Sequence, residues 1–266
     1  MINAESIWQD VVNIREQAPL IHNITNYVVM NSTANALLAL GASPVMAHAV
    51  EEVTEMVAIA GALVINIGTL SAGWIASMHK AAAEAKARNV PLILDPVGSG
   101  ATALRTKTAK QLIAQSPPDI IRGNGSEIIS LLDAGSMTKG VDSVHGAEAA
   151  QTAAKKLVDK YNCTVSISGQ VDIIISINGQ TKIRNGHPMM PKVTGLGCTA
   201  SALTGAFAAV NRNYQTAAAH AMAVLGIAGE IAAEKSAGPG SLQLKIIDCL
   251  YGLDQEMIKR HLQVED

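Results

Sequence analysis

Three short stretches hold residues able to do chemistry on a charged group. In LILDPVGSGAT an apolar run ends in Asp95, followed by a proline turn and two glycines. An acid at the end of a buried run can meet a metal or a phosphate; Asp-Pro is equally a turn former, and both readings stay open. In DIIRGNGSEI a second apolar run leads into Arg122, Asn124 and Glu127. Arg122 would neutralise phosphate charge. If a helix starts here, Asn124 and Glu127 gather at its first turn, where the backbone favours anions and a water-bound Mg²⁺ can be oriented. The same spacing is a capping box, in which the two side chains satisfy the helix's own N–H groups. In VTGLGCTASAL, Gly195 and Gly197 let backbone approach a ligand closely, and Cys198 stands at the mouth of an apolar helix whose free N–H groups suit a developing anion. No Gly-Lys-Ser/Thr follows, so this is not a Walker loop.

The elements that must position these residues alternate along the chain. Apolar runs at 43–46, 62–67, 90–95, 118–123 and 164–168 read as strands, and helical patterns cover 33–40, 51–60, 72–88, 101–114 and 146–161. That alternation predicts a parallel sheet with helical crossovers. QVDIIISINGQTKIRNGH then carries two strand-like runs about Asn178-Gly179, a hairpin signal that predicts an antiparallel edge. Beyond Gly197 the pattern is helical almost throughout, and no linker or repeat interrupts it, so residues 1–266 are read as a single domain. In such a sheet the ligand crevice lies at the carboxyl ends of the strands, where Asp95 and Arg122 fall.

Composition narrows the partners. The 20 Lys and Arg against 22 Asp and Glu include no basic run, which argues against nucleic acid or an anionic membrane. No apolar run in the sequence is read as a membrane span of roughly 18 residues, and no export signal is read at the N-terminus. Cys163, Cys198 and Cys249 are an odd set without metal-like spacing, which fits a reducing cytoplasm. His22, His48, His187 and His220 share no ligand spacing, and Cys163 and Cys249 read as inert core thiols. Only 3% of residues are aromatic, and the many small ones suit helices lying flat on strands.

PLIHNITNYVVMNSTANALLALGASPVMAHAVEEV, with LDPVGSGAT, IRGNGSEI and VTGLGCTASAL, closely resembles the hydroxyethylthiazole kinase family of the ribokinase-like superfamily, over nearly the whole chain. The resemblance implies a three-layer ribokinase-like fold, mostly parallel sheet with helices on both faces, and phosphorylation of 5-(2-hydroxyethyl)-4-methylthiazole with ATP and Mg²⁺. It implies that Met46 contacts the thiazole, that Arg122 and Ser168 contact the nucleotide, and that Gly195 contacts substrate. Asp95 and Glu127 would organise Mg²⁺ through water, and Cys198 would lie beside the acceptor hydroxyl. Asn23, Thr25, Asn26 and Gly68 resemble the wall of the thiazole pocket. Because that family forms homotrimers with active sites at subunit interfaces, those four would serve a neighbour's Cys198. Without the resemblance, Met46 reads as core filler, Ser168 as a turn former, and Asn23 with Asn26 as caps for the helix through Thr33.

Phosphoryl transfer passes through a loose transition state, so catalysis comes from positioning and electrostatics more than from a strong base. Gly195 to Cys198 would hold phosphoryl oxygens through backbone N–H groups. The Cys198 thiol, ordinarily near pKa 8.5, is expected to be lowered by the helix N-terminus and to orient the hydroxyl or take its proton late. The rival is a cysteine hydrolase or acyltransferase pairing Cys198 with His22, His187 or His220. That leaves Asp95, Arg122, Asn124 and Glu127 without a joint purpose. Two further rivals are a related kinase of pyrimidine alcohols and a non-enzymatic nucleotide sensor of the same fold.

Overall fold

The structure, a computed structural model, describes residues 2–132 and 143–265. Six short apolar runs form parallel strands: β1 (Leu20–Ile24), β2 (Ser43–Val45), β3 (Ala62–Asn66), β4 (Leu92–Asp95), β5 (Ile120–Asn124) and β6 (Thr164–Ser168). An antiparallel edge of β7 (Asp172–Ser176), β8 (Gly179–Ile183) and β9 (Val264–Glu265) completes a nine-stranded sheet of order β2-β1-β3-β4-β5-β6-β7-β8-β9. The chain runs outward from β1 to β2 and then back past β1 to β3. This reversal opens a crevice at the carboxyl ends of β1 and β3.

Helices cover both faces, giving the three layers expected. Residues of α1 (Ala4–Gln17), α2 (Met30–Leu40), α8 (Leu196–Val210), α9 (Tyr214–Glu234), α10 (Pro239–Gly252) and α11 (Gln255–His261) share one apolar core. Those of α3 (Val53–Ile59), α4 (Ala72–Arg88), α5 (Ala103–Gln115), α6 (Gly125–Ser130) and α7 (Ser143–Tyr161) share the other. The small residues do what composition implies. A Cβ at Gly205 would lie 2.6 Å from Val64 Cγ2, so α8 sits against the sheet at a distance that only hydrogen permits. That contact holds the N-terminus of α8 over the strand ends.

Several details differ from the sequence reading. β1 is not among the expected strands, because His22 and Asn23 interrupt its apolar signal. Both are buried all the same: His22 Nε2 donates to Ala47 O at 2.8 Å, and Asn23 Nδ2 to Ile21 O at 2.8 Å. The hairpin turn is Ile177-Asn178, one residue earlier than expected, since Gly179 (φ 125°) already pairs with Ser176. Helix α9 is long and apolar enough to cross a membrane by length and composition, contrary to the expectation that no such run exists. In the fold it is a core helix, buried along most of its length between α8, α10 and the sheet.

Candidate active site

Strand parity aims the site. Alternate residues of a strand face opposite sides, and in β3 Ala62 and Val64 pack into the α8-side core while Leu63 and Ile65 pack into the other. Asn66, next in step with Val64, therefore faces α8. Asp95 follows Ile93 in the same way, and Asn66 and Asp95 are register partners across β3 and β4. Ile120 sends Arg122 toward α8 by the same rule.

These side chains form a continuous polar chain. Asn26 Nδ2 donates to Asn66 Oδ1 at 2.9 Å and to Cys198 Sγ at 3.3 Å. Asn66 Nδ2 donates to Asp95 Oδ2 at 2.8 Å, and Ser201 Oγ, one turn of α8 beyond Cys198, donates to the same oxygen at 2.7 Å. Asn26, Asn66, Asp95 and Ser201 are all buried, while Cys198 is half-buried at the crevice.

The turn into α8 brings backbone donors to the same place. Gly195 is the N-cap residue with φ 82°, and a Cβ there would fall 2.5 Å from Val29 Cγ1. Thr199 N makes the first intrahelical bond, to Gly195 O at 2.9 Å. The N–H groups of Leu196, Gly197 and Cys198 precede it and have no helical partner, the arrangement that receives an anion at a helix start. Arg122 Nη1 donates to Gly197 O at 2.9 Å, and its Nε, also buried, has no partner. Its guanidinium thus adds positive charge beneath the loop.

Glu127 and Asn124 form the capping box of α6. Glu127 N donates to Asn124 Oδ1 at 3.0 Å, and Asn124 N donates to Glu127 Oε2 at 2.8 Å. Glu127 does more than cap: its Oε1 accepts Gly98 N at 2.8 Å, which fastens the turn after Asp95 to the start of α6. Neither Asp95 nor Glu127 offers a bare carboxylate, and no cluster of three or more His, Cys, Asp or Glu able to hold a metal occurs among the described residues. Two engaged carboxylates on adjacent loops fit Mg²⁺ held through water and substrate phosphates, because that ion keeps several waters and takes only one or two carboxylates from such sites.

Burial sets the proton affinities. It pushes the Asp95 carboxyl up to about 7, against the opposing pull of Arg122 and the hydrogen bonds from Ser201 and Asn66. The Cys198 thiol is also raised, first by burial and then by the Asp95 charge, with the Asn66 and Asn26 amides pulling the other way. The expected lowering by the helix N-terminus is therefore corrected: at neutral pH Cys198 is a thiol. Asp172, at the start of β7, is raised to about 6 by burial, with Gly169 N–H and Arg122 favouring its charge.

The residues read from sequence lie in one row along the carboxyl edge: Met46 after β2, Thr25 and Asn26 after β1, Gly68 after β3, then Asp95, Arg122 and Asn124, with Ser168 ending β6. From β1 to β6 the row crosses four strand steps, about 19 Å at roughly 4.8 Å each. Three expectations change. Asn26 meets Cys198 of its own chain, so that contact needs no neighbour. Asn23 Nδ2 donates to Ile21 O while its buried Oδ1 has no partner, and neither Asn23 nor Asn26 caps α2, whose N-cap Val29 has no side-chain bond. The histidines proposed for a hydrolase are engaged elsewhere: His22 with Ala47, His187 with Met189 N, and His220 with Asp10. Sequence reasoning misses Asn66 and Ser201; parity with Val64 and the i+3 step from Cys198 are the signals that could find them.

A mostly parallel sheet with this reversal, an antiparallel edge and helices on both faces is the ribokinase-like fold. A ribokinase-like superfamily protein from Enterococcus faecalis shares the fold at a TM-score of 0.64 and 16% identity, covering 90% of this chain and 87% of that one. The sequence profile of the hydroxyethylthiazole kinase family matches residues 11–256, and the chain belongs to that family. It is 61% identical to the hydroxyethylthiazole kinase of Syntrophus aciditrophicus over 264 residues, 99% of this chain and 98% of that one. The hydroxyethylthiazole kinase structure from Pyrococcus horikoshii superposes with a TM-score of 0.90 at 43% identity, with 98% of each chain covered. Membership of a kinase family over nearly the whole chain does not favour the hydrolase reading.

Proposed function

We propose that the chain transfers the γ-phosphoryl group of ATP to the side-chain hydroxyl of 5-(2-hydroxyethyl)-4-methylthiazole, with the whole chain acting as one kinase domain. The observation that carries this reading is the meeting of the α8 N-terminus, Cys198 and the Asp95 cluster at a single point of the crevice.

Arg122, Asn124 and Ser168 lie toward β5 and β6 and suit the nucleotide. Thr25, Asn26 and Gly68, with Met46 beyond, lie toward β1 and β2 and suit the thiazole alcohol. The N–H groups from Leu196 to Cys198 hold the transferred oxygens as charge builds on them. Arg122 fixes the first turn of α8 through Gly197 O and contributes charge. Asp95 and Glu127 would hold Mg²⁺ through water, and that ion supplies charge neutralisation on the phosphates. Cys198, as a neutral thiol, orients the acceptor hydroxyl and is not a covalent nucleophile.

The protein works as a homotrimer in the cytoplasm. Exposed Tyr27 and Val28, directly after Asn26, and Leu38 on α2 offer the apolar surface a neighbour would cover beside the site. Three free cysteines fit a reducing compartment. A coupled ADP-release assay across thiazole and pyrimidine alcohols, with mass-spectrometric identification of the product, tests the reaction: ADP release dependent on a pyrimidine alcohol alone would overturn it. Sedimentation tests the trimer.

A further inference from the structure

The backbone N–H of Gly68, donating to Asn66 Oδ1, leaves the chain of carboxamides between Asp95 and Cys198 only one polarity. Asp95 Oδ2, when ionised, accepts only, so Asn66 must turn its amino group toward it, as it does at 2.8 Å. Asn66 Oδ1 then faces the other way, where it receives two donors: Gly68 N at 2.9 Å and Asn26 Nδ2 at 2.9 Å. The Gly68 N–H belongs to the backbone and cannot reverse. Asn26 is pinned at its opposite end too, its Oδ1 accepting Val28 N at 3.1 Å. One amino hydrogen of Asn26 thus goes to Asn66, and the other goes to Cys198 Sγ at 3.3 Å. Flipping either amide would set oxygen against oxygen, or N–H against N–H, at sites where Asn26, Asn66 and Asp95 are 4%, 1% and 1% exposed and water cannot compensate. Even the space is reserved: a Cβ at Gly68 would lie 2.8 Å from Asn26 Nδ2.

We propose that Asn66 is a positioning residue for the kinase reaction: its carboxamide carries the acceptor polarity of Asp95 across to Asn26, so that Asn26 aims its amino group at Cys198 and the acceptor hydroxyl beside it. This rests on the reading that Cys198 borders that hydroxyl. Asn66 acts on the acceptor hydroxyl through Asn26, while its own amide also bears on the Cys198 thiol. Loss of Asn66 leaves Asn26 held at its Oδ1 end alone, by Val28 N, and the amino group is no longer fixed toward the reacting oxygen.

A double-mutant cycle of Asn66→Ala and Asn26→Ala tests this, with kcat and both KM values measured for ATP and the thiazole alcohol. Each single variant is expected to lose about 10- to 100-fold in kcat, the scale on which a small misplacement of reacting groups acts. The KM for ATP should stay at its parent value, and the double variant should be no slower than the slower single one. Losses that multiply in the double variant, or a change confined to KM, would overturn the relay. If Asn66→Ala loses its cooperative melting transition, Asn66→Ser enters the cycle in its place. Cys198→Ala is run alongside. Parent kcat in that variant overturns the placement of the hydroxyl and leaves the cycle readable, whereas a slow Cys198→Ala with a multiplicative cycle overturns the relay and keeps the placement.

Discussion

Arg122 Nη1 donates to the carbonyl oxygen of Gly197 at 2.9 Å, joining the end of β5 to the first turn of α8. The bond places a fixed cation under the turn whose N–H groups are proposed to receive the transferred phosphoryl oxygens. Arg122→Ala should lower kcat about 10²-fold, as losing one donor to a developing anion does elsewhere. Arg122→Lys should recover only part of this, because an ammonium cannot reproduce the planar fork. Steady-state kinetics with folded variants check it, and full activity in Arg122→Lys would show that charge alone suffices.

Gly195 is required twice over. Its φ of 82° is the left-handed region, and a Cβ would collide with Val29 Cγ1 at 2.5 Å. Gly195→Ala is expected to cost about 1–2 kcal/mol from the backbone alone, and the clash adds to it. Adding Val29→Ala should relieve the clash and leave the backbone strain, so stability returns only in part. Complete recovery of the melting temperature in the double variant would show that the dihedral is not limiting.

How far the sequence anticipates this site follows from what kind of signal each residue carries. Asp95, Arg122 and Cys198 end or follow apolar runs, so their placement at strand and helix ends is legible from pattern alone. Asn66 hides inside ALVINIG because the run continues through Ile67, and an amide there looks like an interruption. β1 escapes notice for the same reason, its His22 and Asn23 being polar yet bonded within the fold. Glu127 shows the reverse: the capping box is readable from Asn-x-x-Glu, but its grip on Gly98 N depends on a loop 29 residues earlier that only the fold brings near. Long-range hydrogen bonds have no periodicity to betray them. The Cys198 shift runs against expectation because the helix N-terminus is visible in sequence, whereas burial and the neighbouring Asp95 charge are not.

Asp95 should make stability depend on pH. Its carboxyl starts from 3.8 and is raised to about 7 in the fold. Between those values the folded protein holds a proton that the unfolded chain has released. The stability linked to this group is therefore complete below about pH 4 and is lost as pH rises through about 7. Asp95→Asn cannot titrate, so its melting temperature relative to the parent should increase from pH 5 to pH 8, while its kinase activity falls. Parallel melting profiles for the two proteins across that range would contradict the assignment.

Cys198 provides the sharpest division between an orienting thiol and a nucleophile. Burial and the Asp95 charge raise its pKa, so thiolate should be scarce at pH 7. Iodoacetamide labelling of the Cys198 peptide, followed by mass spectrometry, should accelerate above pH 8 and show no plateau near neutrality. Cys198→Ser keeps a hydroxyl-sized partner for the substrate and should lose no more than about 10²-fold in kcat, the low end of a general base's contribution. Cys198→Asp should also remain active, since the α8 N–H groups and Arg122 are unchanged by it. A plateau of labelling at pH 7, or a phospho-cysteine trapped during turnover, would instead make the sulphur a participant in bond formation. The phosphoryl group would then have to pass through Cys198, and a serine in its place would abolish turnover.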